Sequence, residues 1–146
     1  MRLAVLDDRA GVEAVVEAAY APYVAPLGCK PGPMLDDYAD LITDCRVHVL
    51  DAGGFIAGVV VLMPQNDAML LDNVAVLPSC QGLGYGRRLL EFAERAALDA
   101  GYGAVRLYTN EAMTENIALY GRIGFLETHR AEEKGYRRVH MRKALT

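Results

Sequence analysis

The sequence has one serine and three cysteines, and both scarcities argue against a class of site. The serine, Ser79, does not lie in a G-x-S-x-G turn, which argues against a serine hydrolase. The cysteines form no CxxC pair, so neither a zinc site nor a disulfide framework is indicated, and no metal is expected. Reduced thiols in a cytoplasmic protein are the simplest interpretation. The histidines lie far apart without carboxylates at ligand spacing and are assigned to strands: His48, His129 and His140.

Long apolar runs and an excess of positive charge are missing as well. The longest apolar run, Phe55 to Met63, is interrupted by Gly58 and ended by Pro64, so it is too short to span a bilayer and no membrane partner is expected. The formal net charge of −4 disfavours a general nucleic-acid binder, which is usually basic. Basic residues cluster in the segment 137–143, but their alternation is typical of the solvated face of an edge strand.

The composition of the sequence is that of a folded domain. With 146 residues, 53% of them hydrophobic, the chain is long enough to bury a sizeable core, and we expect one domain over residues 1–146. Periodicity and turn residues predict the order β-α-α-β-β-β-α-β-α-β-β, an α/β (α+β) domain with an antiparallel first half. Asp7 or Asp8 is expected to cap the first helix, and the proline- and glycine-rich segment 21–34 is expected to be a loop.

The clearest predicted helix follows a cluster of glycines. Its apolar residues fall on one stripe, its charged residues face away, and Gly101 is expected to end it. The stripe consists of Leu89, Phe92, Ala93, Ala96, Ala97 and Ala100.

The glycine cluster, QGLGYG from Gln81 to Gly86, directly precedes this helix. Glycine is conformationally costly, whereas bare N–H groups at a helix N-terminus are a ready site for a phosphate. Arg87 and Arg88 oppose the helix dipole there, and an anionic ligand would remove that conflict. A tight turn without a ligand is the alternative. Neither G-x-G-x-x-G nor the Walker A pattern is present, because Arg87 stands where the third glycine of the first pattern should fall.

With "LDNVAVLPSCQGLGYGRRLL" and the later "NIALYGRIGF", the sequence resembles the GNAT family, the GCN5-related N-acetyltransferases. The resemblance extends to the element order over essentially the whole chain. It implies a mixed, mostly antiparallel sheet of about seven strands flanked by helices. It also implies that acetyl-CoA binds with its pyrophosphate on backbone N–H groups of the glycine loop.

The resemblance further implies which residues meet the cofactor. In this family the pantetheine arm lies in a gap where the strand before the loop splays from the next strand, and it pairs with the strand backbone. The strand residues would be Val74, Ala75 and Val76. The pyrophosphate cradle would be Gln81, Gly82, Leu83, Gly84, Tyr85, Gly86 and Arg87.

Transfer of the acetyl group to an amine needs a base for the amine and an acid for the departing thiolate. The resemblance implies that Tyr120 protonates the sulfur and that Asn116, one helical turn earlier, contacts the cofactor. The alternatives are that Tyr120 packs the helix on the sheet and that Asn116 is a solvated helix residue.

The base is less directly indicated. Many family members carry a glutamate where this chain has Leu70. Asp72 lies on the same strand face, where apolar neighbours would raise its pKa, although it could equally bond a nearby turn. Glu111 is the second candidate and a water chain is the third.

The segment Tyr20 to Asp44 would face the acceptor by family analogy. Its tyrosines and aspartates suit a cationic amine: Tyr20, Tyr23, Tyr38, Asp36, Asp37, Asp40 and Asp44. The sequence therefore predicts an acetyl-CoA-dependent N-acetyltransferase acting on a primary amine. The alternative is a non-catalytic acyl-CoA-binding or sensing module, since the usual glutamate is missing. A homodimer is common in such folds.

Overall fold

The computed structural model describes residues 1–145, and its elements follow the predicted order. The strands are β1 Arg2–Leu3, β2 Val47–Asp51, β3 Ile56–Pro64, β4 Met69–Val76, β5 Ala104–Asn110, β6 Leu126–Glu133 and β7 Tyr136–Ala144. The helices are α1 Arg9–Leu27, α2 Tyr38–Thr43, α3 Tyr85–Asp99 and α4 Thr114–Ile123. Within residues 1–145, no helix is long and apolar enough to cross a membrane.

The strands form one seven-stranded sheet in the order β1-β2-β3-β4-β5-β7-β6. The pairs β1–β2, β2–β3, β5–β7 and β6–β7 are antiparallel. The pair β4–β5 is parallel, with Met69 opposite Val105 and Leu70 opposite Arg106. The expected mostly antiparallel sheet is confirmed, and its parallel pair is connected through α3, as the β-glycine-α crossover predicts.

The chain divides into two compact units. The first comprises residues 1–62 and 73–93. Its core consists mainly of valines, because α1 contributes one buried stripe and β2 and β3 are apolar strands. The fully buried side chains here are Val12, Val15, Val16, Val47, Val49, Val59, Val60, Val61 and Leu89.

The second unit comprises residues 63–72 and the chain from Glu94 onward. Phe125, directly after the C-cap of α4, is its largest fully buried side chain, and Val105 and Val139 are buried on β5 and β7. Strand β6 is mostly exposed and lies at the edge of the sheet. Its exposed charged side chains are the usual protection of such an edge.

The first helix is longer than the sequence predicts. Residues 21–27, expected to be loop, continue α1 through Pro22 and Pro26. Each proline removes one helical hydrogen bond, but both are exposed and four residues apart, so the carbonyl groups left without partners lie on the solvent side. Gly28 closes the helix, its N–H donating to the carbonyls of Val24 and Ala25. The prediction of a loop was wrong for these residues.

Two details of helix ends and faces also differ. Asp8 occupies the N-cap position of α1, but its carboxylate accepts the N–H of Val5 instead of a helical N–H. In α3, Leu89, Ala93 and Ala97 are buried as predicted. Ala100 lies beyond the end of the helix and is exposed.

Candidate functional site

The glycine loop lies between a short 3-10 turn, Pro78–Cys80, and the first turn of α3. Gly82 and Gly84 each have φ +82°, a left-handed backbone that side chains other than glycine rarely adopt. Helical hydrogen bonding begins where the Arg88 N–H donates to the Gly84 carbonyl at 3.1 Å. These two glycines are therefore explained by the path of the chain into the helix.

Gly86 is different, because the backbone does not require it. It lies in the first turn of α3, its φ is not left-handed, and a Cβ placed on it would meet no atom within 4 Å apart from its chain neighbours and the nearby backbone of its own helix. The space next to this backbone is open. Neither backbone conformation nor packing within the protein explains why this position is a glycine.

The loop presents positive charge to solvent. The first N–H groups of α3 have no helical acceptor, and the helix dipole adds about half a positive charge at this end. Arg87 and Arg88 are exposed beside it. The guanidinium of Arg87 lies 3.6 Å from Glu91 and that of Arg88 5.8 Å from the ring centre of Tyr85, so neither is deeply engaged.

One backbone edge of β4 extends beyond its parallel pairing with β5. The N–H of Leu77 donates to the carbonyl of Ala57 at 2.9 Å, so this position faces β3. Because backbone groups alternate along a strand, those of Val74 and Val76 point to the opposite edge. In residues 1–145 the pairing of β4 with β5 covers only Met69 and Leu70. Strand β4 continues for six residues past that pairing.

A buried amide joins β4 to the two N-terminal helices, and the sequence analysis missed it. Asn73 is 3% exposed; its Oδ1 accepts from the Tyr20 hydroxyl at 2.7 Å and its Nδ2 donates to the Tyr38 hydroxyl at 3.0 Å. The Tyr38 hydroxyl in turn donates to the carbonyl of Pro33. The available signal was one polar residue on the buried face of an otherwise apolar strand.

This network changes the expected role of one tyrosine. Tyr38 is only 4% exposed, so its ring is part of the core of the first unit and not of an aromatic wall open to an amine. Tyr20 and Tyr23 are half-buried, and four aspartates of the segment are exposed: Asp36, Asp37, Asp40 and Asp44. The side chain of Asp37 caps α2 by accepting the N–H of Asp40.

Asp72 is partly buried on β4 and faces β5. Burial raises the pKa of its carboxyl group, while a hydrogen bond from Tyr108 and the charges of Arg138 and Lys134 act against that rise. The Tyr108 hydroxyl donates to Asp72 Oδ1 at 3.2 Å, so the partner of the carboxylate is a strand residue instead of the turn considered above. The direction of the pKa shift agrees with the expectation from its apolar neighbours.

Glu111, the other candidate base, has different surroundings. Its carboxylate lies 3.3 Å from the guanidinium of Arg137 and 4.0 Å from that of Arg130. Both oxygens are therefore engaged in ion pairs at the end of β5.

Tyr120 and Asn116 lie on one face of α4, as their spacing predicts. Tyr120 is 7% exposed, and its ring meets Phe125 edge-on with the ring centres 5.9 Å apart. The Asn116 amide donates to the sulfur of Met113 at 3.7 Å. The ring of Tyr120 thus has a packing contact, as its alternative role requires, and Asn116 is half-buried.

The predicted residues are divided between the two units. The first unit holds the strand residues 74–76 and the loop residues 81–87, and the second holds the proposed acid, the candidate bases and Asn116. No group of three metal-ligating side chains occurs in the part of the chain that the structure describes.

Three solved structures with the same architecture are distant in sequence. The ribosomal-protein-S18-alanine N-acetyltransferase from Escherichia coli is 21% identical, with a TM-score of 0.78 over 99% of this chain and 92% of that chain. The paia N-acetyltransferase from Thermoplasma acidophilum, in complex with coenzyme A, is 16% identical, with a TM-score of 0.79 over 98% and 96%. An Elizabethkingia anophelis GNAT family acetyltransferase with acetyl-CoA bound is 21% identical, with a TM-score of 0.61 over 77% and 87%. At these identities the comparisons show a shared fold.

The sequence itself gives the stronger comparison. A search among curated proteins found no match. The profile of the Acetyltransferase (GNAT) family, however, matches residues 12–125, which include β4, the glycine loop, α3 and α4. The chain therefore belongs to the GNAT acetyltransferase family.

Proposed function

We propose that this protein transfers the acetyl group of acetyl-CoA to a primary amine by direct attack in a ternary complex. Family membership supports the class of reaction. Two structural neighbours carry coenzyme A or acetyl-CoA, which supports the cosubstrate. The observation that carries the proposal on this chain is the glycine loop at the start of α3, where Gly82 and Gly84 have a left-handed backbone and Gly86 lies next to open space.

The pyrophosphate would lie at the glycine loop. Gly82 and Gly84 turn the chain so that α3 begins with exposed N–H groups, and these groups with Arg87 suit a diphosphate. A side chain at Gly86 would occupy the space that a phosphate needs, which explains a glycine there. The amide of Gln81, whose Nε2 lies 3.5 Å from the Val76 carbonyl, would close the strand side of the cradle.

The pantetheine arm would pair with β4. The backbone groups of Val74 and Val76 point away from β3, and the arm would take the place of a neighbouring strand along residues 74–76. Strand addition of this kind uses main-chain hydrogen bonds and fixes the direction of the ligand without demanding particular side chains.

The chemical step forms a C–N bond and breaks the C–S bond of the thioester. The amine passes a proton to a base, and the departing thiolate takes one from an acid. We assign the acid to Tyr120. Asp72 is the favoured base because burial raises the pKa of its carboxyl group, which favours proton uptake. Glu111, held in two ion pairs, and a water chain are the other candidates.

The acceptor would be a cationic amine. The exposed aspartates of the segment Asp36–Asp44, with half-buried Tyr20 and Tyr23, give this part of the first unit negative and aromatic character. Tyr38 does not contribute, because it is buried.

The test of the cofactor site uses a matched pair of glycines. Gly86→Ala and Gly121→Ala each replace a helical glycine over open space, so each should leave stability unchanged or raise it by up to about 1 kcal/mol. Calorimetry should show that coenzyme A binds at least about tenfold more weakly to Gly86→Ala, a loss of about 1.4 kcal/mol, and unchanged to Gly121→Ala. Equal affinities of the two variants for coenzyme A, or no binding of coenzyme A by the unaltered protein, would contradict the proposed pyrophosphate site.

A thiol-release assay with acetyl-CoA and a panel of amines tests the reaction. An acyl-CoA-binding or sensing module without catalysis is the second candidate, favoured by the buried Leu70 at the position where many family members have a glutamate. Coenzyme A uptake without thiol release on any amine of the panel would favour that module.

A further inference from the structure

Four side chains form one row across the strands of the second unit. Asp72 on β4 is linked to Tyr108 on β5 by the hydrogen bond that the Tyr108 hydroxyl donates to Asp72 Oδ1 at 3.2 Å. Tyr108 pairs with His140 on β7, and His140 pairs with His129 on β6. Cross-strand neighbours lie on the same face of a sheet, so the row reaches from the candidate base to the exposed edge strand.

Tyr108 is the member of this row that touches Asp72, and its ring is held from two sides. Its ring centre lies 5.6 Å from that of His140, and the Arg138 guanidinium lies 4.3 Å from it. Glu133 fixes both neighbours, at 3.6 Å from Arg138 and 2.9 Å from His140 Nε2. Because these contacts restrict the ring, they also fix the direction of its hydroxyl group toward Asp72.

We propose that Tyr108 is a positioning residue for acetyl transfer: its hydroxyl holds the Asp72 carboxylate in place and favours its ionised form. The proposal rests on the assignment of Asp72 as the base. Tyr108 keeps its own proton throughout. It donates a hydrogen bond to Oδ1, while Asp72 takes the proton released by the amine.

The charge balance around the carboxylate supports this role. Burial disfavours the ionised carboxylate, and three groups oppose burial: Tyr108 from β5, Arg138 from β7 and Lys134 from the β6–β7 turn. A cation over the aromatic face withdraws electron density, so Arg138 also makes the phenol a stronger donor. Without the hydroxyl group, burial would dominate and Asp72 would stay protonated to a higher pH.

The experiment follows the Asp72 carboxyl carbon by NMR over a pH series in the whole protein without ligands. Tyr108→Phe keeps the ring and its contacts but loses the hydroxyl group, so the Asp72 titration should move up by about one pH unit. Tyr102→Phe, a half-buried tyrosine elsewhere in the same unit, is the control and should leave it unchanged. An Asp72 titration in Tyr108→Phe that coincides with that of the unaltered protein would overturn the proposal.

A second variant keeps the test decisive if Tyr108→Phe does not fold. Arg138→Gln removes the cation and retains a polar side chain, and it should also move the Asp72 titration to higher pH. No movement in this variant would contradict the role given to Arg138 and the support it lends to Tyr108.

The pH profile of kcat/KM connects the contact to the reaction. With acetyl-CoA and the best amine of the panel, the acidic limb should move in Tyr108→Phe by the same amount as the NMR titration. Tyr102→Phe should not move it. If the NMR titration moves but the rate profile does not, Tyr108 does favour the ionised form of Asp72, but Asp72 is not the base of the reaction. The two measurements therefore show which of the two proposals has failed.

Discussion

Asp72 and Glu111 are carboxylates of the same unit whose surroundings give them different chemistry. Burial raises the pKa of Asp72, and the Tyr108 hydroxyl group that donates to its carboxylate is neutral, so Asp72 can bind a proton at a higher pH than an exposed aspartate. Glu111 instead forms ion pairs with two guanidinium groups, those of Arg137 and Arg130. At the scale of the residue, burial and partner distinguish a candidate base from an ion-pair member.

Tyr120→Phe tests the proposed acid. Positioned proton transfer contributes roughly 10²–10⁴-fold to rates, so turnover should fall by about a hundredfold or more. The affinity for coenzyme A should be unchanged, because the ring and its contact with Phe125 remain. Steady-state kinetics and calorimetry measure the two quantities.

Tyr102→Phe again serves as the matched control and should turn over like the unaltered protein. Turnover in Tyr120→Phe at the level of that control would mean that another group, or solvent, protonates the sulfur.

The role of a residue could be predicted from the sequence where local backbone geometry determines it. The role could not be predicted where it depends on a partner far away in the sequence. Gly82 and Gly84 are explained by backbone conformation within their own turn. Asn73 becomes significant only because Tyr20 and Tyr38, 53 and 35 positions away, meet it in the fold. A hydrophobic pattern cannot specify which two hydroxyl groups will reach a buried amide.

At the scale of the element, Asn73 holds α1, α2 and β4 together within the first unit. Both polar atoms of its amide are satisfied by side chains from helices, and the Tyr38 hydroxyl continues the chain to Pro33. A buried polar network is stabilising only while every member is satisfied, so it fixes how the helices lie on the strand.

Asn73→Ala should lower the free energy of unfolding by about 2–4 kcal/mol, because it removes two buried hydrogen bonds and leaves a cavity. Urea unfolding followed by circular dichroism measures the change. Asn66→Ala, at an exposed turn position, is the control and should stay within about 0.5 kcal/mol. A similar small loss in both variants would show that the network contributes little.

Element order was predictable, whereas element ends were less so. The order of all eleven helices and strands of residues 1–145 follows from periodicity and turn residues, and the expected sheet is confirmed. The prediction of a loop from residue 21 was wrong because Pro22 and Pro26 lie inside α1 without ending it. On an exposed helix face, water satisfies the freed carbonyl groups and the helix continues.

At the scale of the whole molecule, two aspartates make stability respond to pH in opposite directions. The Arg2 guanidinium and the Val5 N–H lower the pKa of Asp8 from 3.8 to about 2, so its contribution is present above pH 3.8 and is lost as the pH falls toward 2. Burial raises the pKa of Asp72 in the folded state. Its contribution is therefore fully present below the unfolded value of 3.8 and is lost as the pH rises through the folded value.

Asp72→Asn should remove only the second effect, because an amide oxygen can still accept the hydrogen bond from Tyr108. Below pH 3.8 the variant and the unaltered protein should have similar free energies of unfolding, since both carry a neutral side chain there. As the pH rises, the variant should become the more stable of the two, until the difference levels off above the folded pKa of Asp72. Urea unfolding of both proteins at a series of pH values measures this difference. A difference that stays constant with pH would mean that Asp72 ionises in the folded protein as it does in the unfolded chain, and the physical basis for choosing it as the base would be lost.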